Sequence, residues 1–160
     1  MIPAGKTPVI AIVDDEEMVL TSLRSFLTLE TDFDLQTYVS PEQAIEEAPR
    51  NPADLVISDY LMPGMNGIEF LLAYKKIHPY ATRILLTGYA DKENAIKAIN
   101  DVGLYQYVEK PWDNEHLKLI IQHGLERRFL MGQLEDRIKE VQSVQQNLQD
   151  IQAQIIKAFM

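Results

Sequence analysis

The chain has 160 residues, which is enough for one domain with a complete hydrophobic core and a short additional element. Its formal charge of −9 argues against direct nucleic-acid contact, which needs a basic face, and the lack of cysteine excludes disulfide bonds and thiolate zinc sites. The apolar runs are far shorter than the roughly 20 residues that a membrane span needs, and we expect a cytoplasmic protein without a signal peptide.

Strand and helix patterns alternate along the first part of the chain. The apolar run Val9–Val13 predicts a buried strand, and apolar residues at helical spacing predict a helix over 16–30. A short strand over 34–39 precedes a helix that begins at Ser40, because a serine cap is followed by proline at the first helical position. A third strand is predicted over 54–58.

The same alternation continues to about residue 128. A loop rich in proline and glycine precedes a helix that Pro79 ends. Strands are predicted over 83–87 and 105–109, with a helix capped by Asp91 between them and a last helix capped by Asp113. Five successive β–α units predict an α/β fold with a parallel sheet and helices on both faces.

The composition changes at about residue 129, where proline disappears and an apolar seam begins. One register of this seam includes Gln145 and Gln152, and a second register replaces them with Val144 and Ile151. Both registers describe a two-stranded coiled coil, and the sequence does not choose between them. A solvated single helix is the alternative, but the seam favours a homodimer. We expect one continuous rod of roughly 30 residues, about 45 Å long. The seam is formed by Leu134, Ile138, Val141, Leu148, Ile155 and Phe159.

Polar residues suited to a phosphoryl group follow four of the apolar runs: Asp14 and Asp15, then Asp59, Thr87 and Lys110. Parallel strands place all of these residues at one edge of the sheet, which is where open α/β sheets bind ligands. Neighbouring carboxylates raise one another's pKa unless a cation lies between them. Oxygen ligands of this kind suit Mg²⁺, so the sequence predicts a magnesium site.

The pattern Asp14-Asp15, Asp59, Met62-Pro63-Gly64, Thr87 and Lys110-Pro111 resembles the receiver domain of two-component response regulators. The resemblance covers about residues 8–128, and no single motif decides it. It implies a flavodoxin-like, doubly wound sheet of five strands in the order 2-1-3-4-5. We therefore expect a receiver domain over 1–128 and a coiled-coil extension or linker over 129–160, followed in the natural protein by an output domain.

The resemblance also implies the role of each site residue. Asp59 would be the phospho-acceptor and would receive a phosphoryl group from a histidine kinase or a phosphotransfer protein. Asp15, Asp59 and the backbone carbonyl of Leu61 would ligate Mg²⁺, and Asp14 would hold a metal-bound water. Lys110 would pair with the phosphoryl group, and its bond to Pro111 would be cis.

By the same resemblance, Thr87 and Tyr107 would form the switch. Thr87 would move toward the phosphoryl group, Tyr107 would turn inward, and the change would reach an effector domain or partner through the last helix. Bulky Leu61 and Tyr89 lie where side chains in this family influence the access of water to the acyl phosphate, and they predict slow dephosphorylation.

Two alternatives compete with this signalling function, for which no enzyme activity is expected. A phosphatase of the haloacid dehalogenase type would need Asp-x-Asp after its first strand, whereas Asp14 and Asp15 are adjacent and Asp59 is followed by Tyr60 and Leu61. A receiver-shaped scaffold would depend on the coil alone and would not need phosphorylation.

Overall fold

A computed structural model describes residues 2–159, except for the side chain of Tyr89. A short 3₁₀ turn (Tyr89–Asp91) and a π-helical turn (Ile99–Gly103) flank the fourth helix. The strands are β1 (Val9–Val13), β2 (Asp34–Tyr38), β3 (Leu55–Asp59), β4 (Thr82–Thr87) and β5 (Gln106–Glu109), and the helices are α1 (Glu17–Glu30), α2 (Pro41–Glu47), α3 (Gly67–Ile77), α4 (Lys92–Ala98) and α5 (Asn114–Ala158).

The five strands form one parallel sheet in the order β2-β1-β3-β4-β5, as predicted. β1, β3 and β4 are almost entirely buried because helices cover both faces of the sheet. One apolar layer joins the sheet to α1 and α5, and the other joins it to α2, α3 and α4. All the strand ends that carry the predicted site residues therefore lie at one edge.

Local capping explains where two of the helices begin. The Ser40 hydroxyl accepts a hydrogen bond from the backbone N–H of Gln43 at the start of α2. At the start of α3, Asn66 and Glu69 form a reciprocal capping box. Asp91 is the N-cap residue of α4, as predicted, but its side chain makes no capping hydrogen bond. The α-helix ends at Ala98, and the π-helical turn follows it directly.

The last helix is continuous over 45 residues, as the sequence predicted. Its first four turns are fixed to the sheet by buried apolar side chains and by the Thr82 hydroxyl, which donates a 2.8 Å hydrogen bond to the carbonyl of Gly124. A side chain at Gly124 would press on Leu55 and Thr82, so glycine permits this close approach. Beyond Phe129 the apolar side chains of α5 are exposed, and roughly 30 residues (about 45 Å) extend past the sheet.

Within residues 2–159, no helix combines the length and the apolar character that crossing a lipid bilayer requires.

Replacement of Gly67 by alanine should destabilise the protein by about 1–3 kcal/mol, because the added methyl group would collide with the backbone carbonyl of Asp59 and with Leu85. Urea unfolding of the purified chain measures this loss. Gly132→Ala is the matched control: its methyl group meets only the flexible end of Arg128, and alanine favours a helix by about 1 kcal/mol. Equal stability of the two variants would contradict the close packing of α3 on β3.

Candidate functional site

Three carboxylates meet at the carboxyl edge of the sheet. Asp14 follows β1 directly, Asp15 is the next residue, and Asp59 is the last residue of β3. One oxygen from each of these side chains lies within 4.8 Å of the other two. Asp14 is completely buried, Asp59 is almost buried and Asp15 is exposed, so the cluster has a buried base and an open mouth.

Lys110 is the cation of this cluster. Its Nζ atom lies 2.8 Å from Asp59 Oδ1 and 3.5 Å from Asp14 Oδ2. The backbone N–H of Lys110 donates a 2.9 Å hydrogen bond to the carbonyl of Thr87, which joins the turn after β5 to the end of β4. The bond from Lys110 to Pro111 is cis, as the resemblance implies.

Burial raises the pKa of both inner carboxyl groups. The pKa of Asp14 is raised to about 6, because loss of solvent and the nearby charge of Asp59 outweigh the hydrogen bond from the Glu16 amide and the charge of Lys110. Burial also raises the pKa of Asp59, although Lys110 opposes this effect. Burial alone would lower the pKa of Lys110, but its hydrogen bond to Asp59 and the surrounding carboxylates raise it overall. The site therefore holds more negative charge than its single ammonium compensates.

The residues present fit a hard divalent cation. The donors are carboxylate oxygens, which Mg²⁺ prefers, and they converge from two neighbouring strands. Among the described residues, the buried Oδ2 atom of Asp14 accepts no hydrogen bond. A buried acceptor without a donor is costly, and a cation or a cation-bound water would satisfy it.

The two predicted switch residues lie on the neighbouring strands β4 and β5. Thr87 ends β4, is fully buried, and its hydroxyl donates a 3.1 Å hydrogen bond to the carbonyl of Gly88. Tyr107 pairs with Leu85 across β4 and β5, is half-buried, and packs on the core layer of α3 and α4. Because side chains alternate along a strand, Thr87 and Leu85 point to this same face of the sheet.

Leu61, whose carbonyl is the fourth predicted metal ligand, lies two residues beyond Asp59 with an exposed side chain. The side chain of Tyr89 is outside the described residues, so the expectation of slow dephosphorylation stays a prediction. The sequence analysis did not predict two contributions to the site. The backbone amide of Glu16 donates a 2.9 Å hydrogen bond to Asp14 Oδ1, and Gly67 lies close to the backbone carbonyl of Asp59. An aspartate side chain that accepts a hydrogen bond from the backbone amide two residues later is a common local pattern, so the sequence could have indicated the contact of Glu16.

The chain is similar to proteins of a known family. The family model for the response regulator receiver domain matches residues 10–122, more than half of the chain. The hydrogenase transcriptional regulatory protein HoxA of Cupriavidus necator is 34% identical over 131 residues, which is 82% of this chain and 27% of HoxA. This chain spans 26–28% of the length of the first curated relatives that it matches.

Solved structures agree with this match. The signal receiver domain of an HD domain-containing protein from Pseudomonas fluorescens is 35% identical, with a TM-score of 0.73 over 78% of this chain and 98% of that one. A chain described as adenylate cyclase from Rhodopirellula baltica is 27% identical, with a TM-score of 0.79 over 84% of this chain and 98% of that one. Proteins with different names thus share this fold.

Without added magnesium, Asp14→Asn should be more stable than the wild type at pH 7.5, by on the order of 2 kcal/mol. At pH 7.5 Asp14 is ionised in the folded wild type as well as in the unfolded chain, since the folded pKa is about 6 and the reference value is 3.8, so the buried carboxylate costs stability that an uncharged asparagine does not lose. Between these two pKa values the folded protein keeps a proton that the unfolded chain loses. Wild-type stability therefore falls as the pH rises through this window, and the advantage of the variant should shrink at pH 5.

Urea unfolding in chelator at pH 5, 6 and 7.5 measures this difference. Asp101→Asn, at an exposed position on the turn after α4, is the control and should behave like the wild type at every pH. A variant at Asp14 that is less stable than the wild type throughout would show that its buried carboxylate is not strained.

Proposed function

This chain belongs to the response regulator receiver family, and we propose that it is a phosphorylation-controlled switch whose phospho-acceptor is Asp59. The main support is the 2.8 Å ion pair between Lys110 and Asp59 beside the other two carboxylates. Receiver domains of this family bind Mg²⁺ in an acidic pocket and act as signalling switches. The proposed donor is the phosphohistidine of a histidine kinase or of a phosphotransfer protein.

Each residue of the site has a chemical task in this proposal. A carboxylate oxygen of Asp59 attacks phosphorus, the phosphorus–nitrogen bond of the donor breaks, and an acyl phosphate forms. Asp14, Asp15, Asp59 and the Leu61 carbonyl would hold Mg²⁺, with Asp14 acting through a water. The bound ion would supply charge neutralisation and orientation. Lys110 then pairs with phosphoryl oxygens.

The proposed relay starts with a hydrogen bond that is easily exchanged. The hydroxyl of Thr87 donates only to the neighbouring carbonyl of Gly88, and a phosphoryl oxygen on Asp59 would compete for it. Movement of Thr87 would leave space on the face of the sheet that Tyr107 shares, so the aromatic ring would turn inward. Phosphorylation acts in this way only if it favours one packing over the other.

The phosphatase alternative fits the geometry less well. An aspartate nucleophile of the haloacid dehalogenase type needs a second aspartate two residues later as the general acid, and Leu61 occupies that position after Asp59. Lys110 would be a poor replacement, because its raised pKa makes the ammonium a weaker proton donor.

We also propose that two copies pair through the exposed part of α5. From 141 to 156 the only charged residue is Asp150, so this segment has few of the ion pairs that stabilise an isolated helix. Seven apolar side chains of the rod are 49–57% exposed: Leu134, Ile138, Val141, Val144, Leu148, Ile151 and Ile155.

The energy of this pairing predicts a reversible dimer. Complete burial of one aliphatic side chain stabilises by about 1.5–3 kcal/mol, so covering the exposed half gives about 1 kcal/mol. Two helices then gain on the order of 10 kcal/mol, which is comparable with the 4–15 kcal/mol that association costs.

The proposed downstream partner is an output domain, and a coil of this kind would bring two copies of that domain together. The proposed location is the cytoplasm, where the kinase would act.

Incubation with acetyl phosphate and Mg²⁺ should add one phosphoryl group to the wild type and none to Asp59→Asn. Intact-protein mass spectrometry measures the addition, and chelator should prevent it. Asp101→Asn serves again as the control and should be modified like the wild type. A wild type that stays unmodified would favour the scaffold alternative, and catalytic turnover of phosphate esters would favour the phosphatase.

Leu148→Lys should raise the dissociation constant of the dimer at least about 100-fold, because it places two ammonium groups in the apolar seam. Sedimentation equilibrium measures the change. Ser143→Lys adds the same charge on the opposite side of the rod and should leave the dimer intact. Equal masses for the two variants would show that the seam does not pair the chains.

A further inference from the structure

A group of basic side chains lies at the amino edge of the sheet, opposite to the edge that carries the carboxylates. Arg83 is the second residue of β4, and Arg127 lies on α5 near the point where this helix leaves the sheet. Together with Gly103, Tyr105 and their neighbours, they line an open pocket of about 100 Å³. None of these residues belongs to the phosphoryl site, so the pocket is a separate feature of the molecule.

The guanidinium group of Arg83 is buried and is bonded to backbone oxygens only. The residue is 8% exposed. It donates four hydrogen bonds of 2.9–3.1 Å, all to backbone carbonyls: those of Pro79, Ala81, Val102 and Gly103. A guanidinium has five N–H groups, so one N–H of Nη2 is left for a further acceptor. The carbonyls orient the positive charge without neutralising it.

No acidic side chain compensates this buried charge. Among the residues that the structure describes, no carboxylate oxygen lies within 4.0 Å of a charged nitrogen of Arg83, Arg127 or Lys75. Burial and the charge of Arg127 instead lower the pKa of Arg83. Buried charges in proteins are normally paired, so this pocket carries an excess of positive charge that an anion would relieve.

Three elements of the fold contribute cations to this region. A β-carbon at Gly103 would lie 3.0 Å from Arg83 Nη2 and 3.5 Å from Lys75 Nζ, so the β4 arginine and the α3 lysine flank the same glycine. The guanidinium carbon of Arg127 lies 5.5 Å from the centre of the Tyr105 ring, which places the α5 arginine at the open end of the pocket. Tertiary packing therefore assembles the basic group.

A purely structural role explains only part of this arrangement. The bonds of Arg83 to Val102 and Gly103 hold the π-helical turn after α4, and such a role needs no second cation. The charge of Arg127 acts against the buried charge of Arg83, so a neutral residue at position 127 would suit a structural role better. Anion binding accounts for both arginines.

We propose that this pocket binds a phosphate dianion, either inorganic phosphate or the phosphate of a small monoester. Arg83 and Arg127 supply two positive charges, which match the charge of about −2 on a phosphate group near neutral pH. Guanidinium groups bind phosphate oxygens through paired hydrogen bonds. The remaining N–H of Arg83 is the donor at the base of the pocket, and Arg127 supplies donors at its open end.

The size of the pocket limits what it encloses. Its volume of about 100 Å³ is well below the roughly 300–1,000 Å³ of pockets that hold drug-sized ligands. The phosphate group alone is therefore enclosed, and any ester substituent lies outside. Because the pocket and the carboxylate cluster are at opposite edges of the sheet, binding here does not depend on Mg²⁺ or on the proposed phosphoryl transfer.

Titration calorimetry of the full chain with inorganic phosphate tests this inference, in chelator and at constant ionic strength. The wild type should bind one phosphate with a dissociation constant on the order of 1 mM or lower. Arg127→Gln should raise this constant at least tenfold, and the exposed position of Arg127 lets the variant fold. Arg137→Gln removes the same charge from an exposed position further along α5 and should bind like the wild type.

Other anions identify the chemical class. Sulfate, a dianion of the same shape, should compete with phosphate, whereas acetate should bind at least tenfold more weakly. No binding of phosphate by the wild type, equal affinity in Arg127→Gln, or acetate binding as tight as that of phosphate overturns the proposal. Glycerol 3-phosphate separates the two sources: tighter binding than inorganic phosphate supports a monoester ligand, and weaker binding supports free phosphate.

Thermal unfolding supplies an independent readout. A ligand that binds only the folded chain raises its melting temperature. Replacement of chloride by phosphate at equal ionic strength should therefore stabilise the wild type and Arg137→Gln, but not Arg127→Gln. Asp59→Asn should keep the full effect, and its loss in that variant would place the bound phosphate at the carboxylate cluster and overturn the inference.

Discussion

The contact between Lys110 and Asp59 is the constraint on which the rest of the site depends. Three ionised carboxylates and one ammonium leave two uncompensated negative charges at a largely buried edge of the sheet. The lysine lowers this excess without removing it, and burial, together with the charge of Asp59, raises the pKa of Asp14. A divalent cation would restore neutrality, and only then would a further anionic group enter at low cost. For the proposed phosphoryl transfer, the charge balance therefore favours binding of the cation before the phosphoryl group.

The sheet makes this balance possible because its strands do not move apart. β1, β3 and β4 are covered on both faces, and the buried Asp14 and Asp59 are held at the ends of two of them. The apolar layers, which are remote from the site, stabilise the folded protein against the repulsion between these carboxylates. Lys110, in contrast, lies on the turn after the edge strand β5, and its side chain reaches Asp59 from there.

The sequence predicted the elements and the convergence of the site because both follow from periodicity and parallel strands. The strand order came from the resemblance, since five β–α units alone do not determine it. The π-helical turn after α4 was not predicted, because it involves a tertiary contact: the buried guanidinium of Arg83 donates hydrogen bonds to the carbonyls of Val102 and Gly103 in this turn. The complete burial of Asp14, and hence its raised pKa, depends on packing that no local pattern records.

A continuous helix limits the form that a signal can take. Because α5 is fixed to β4 at Gly124 and has no break from there to Ala158, a local change at Thr87 would reach the rod only as a movement of the whole helix. To reverse a population from 1:99 to 99:1, the phosphoryl group must favour one state by about 5.5 kcal/mol.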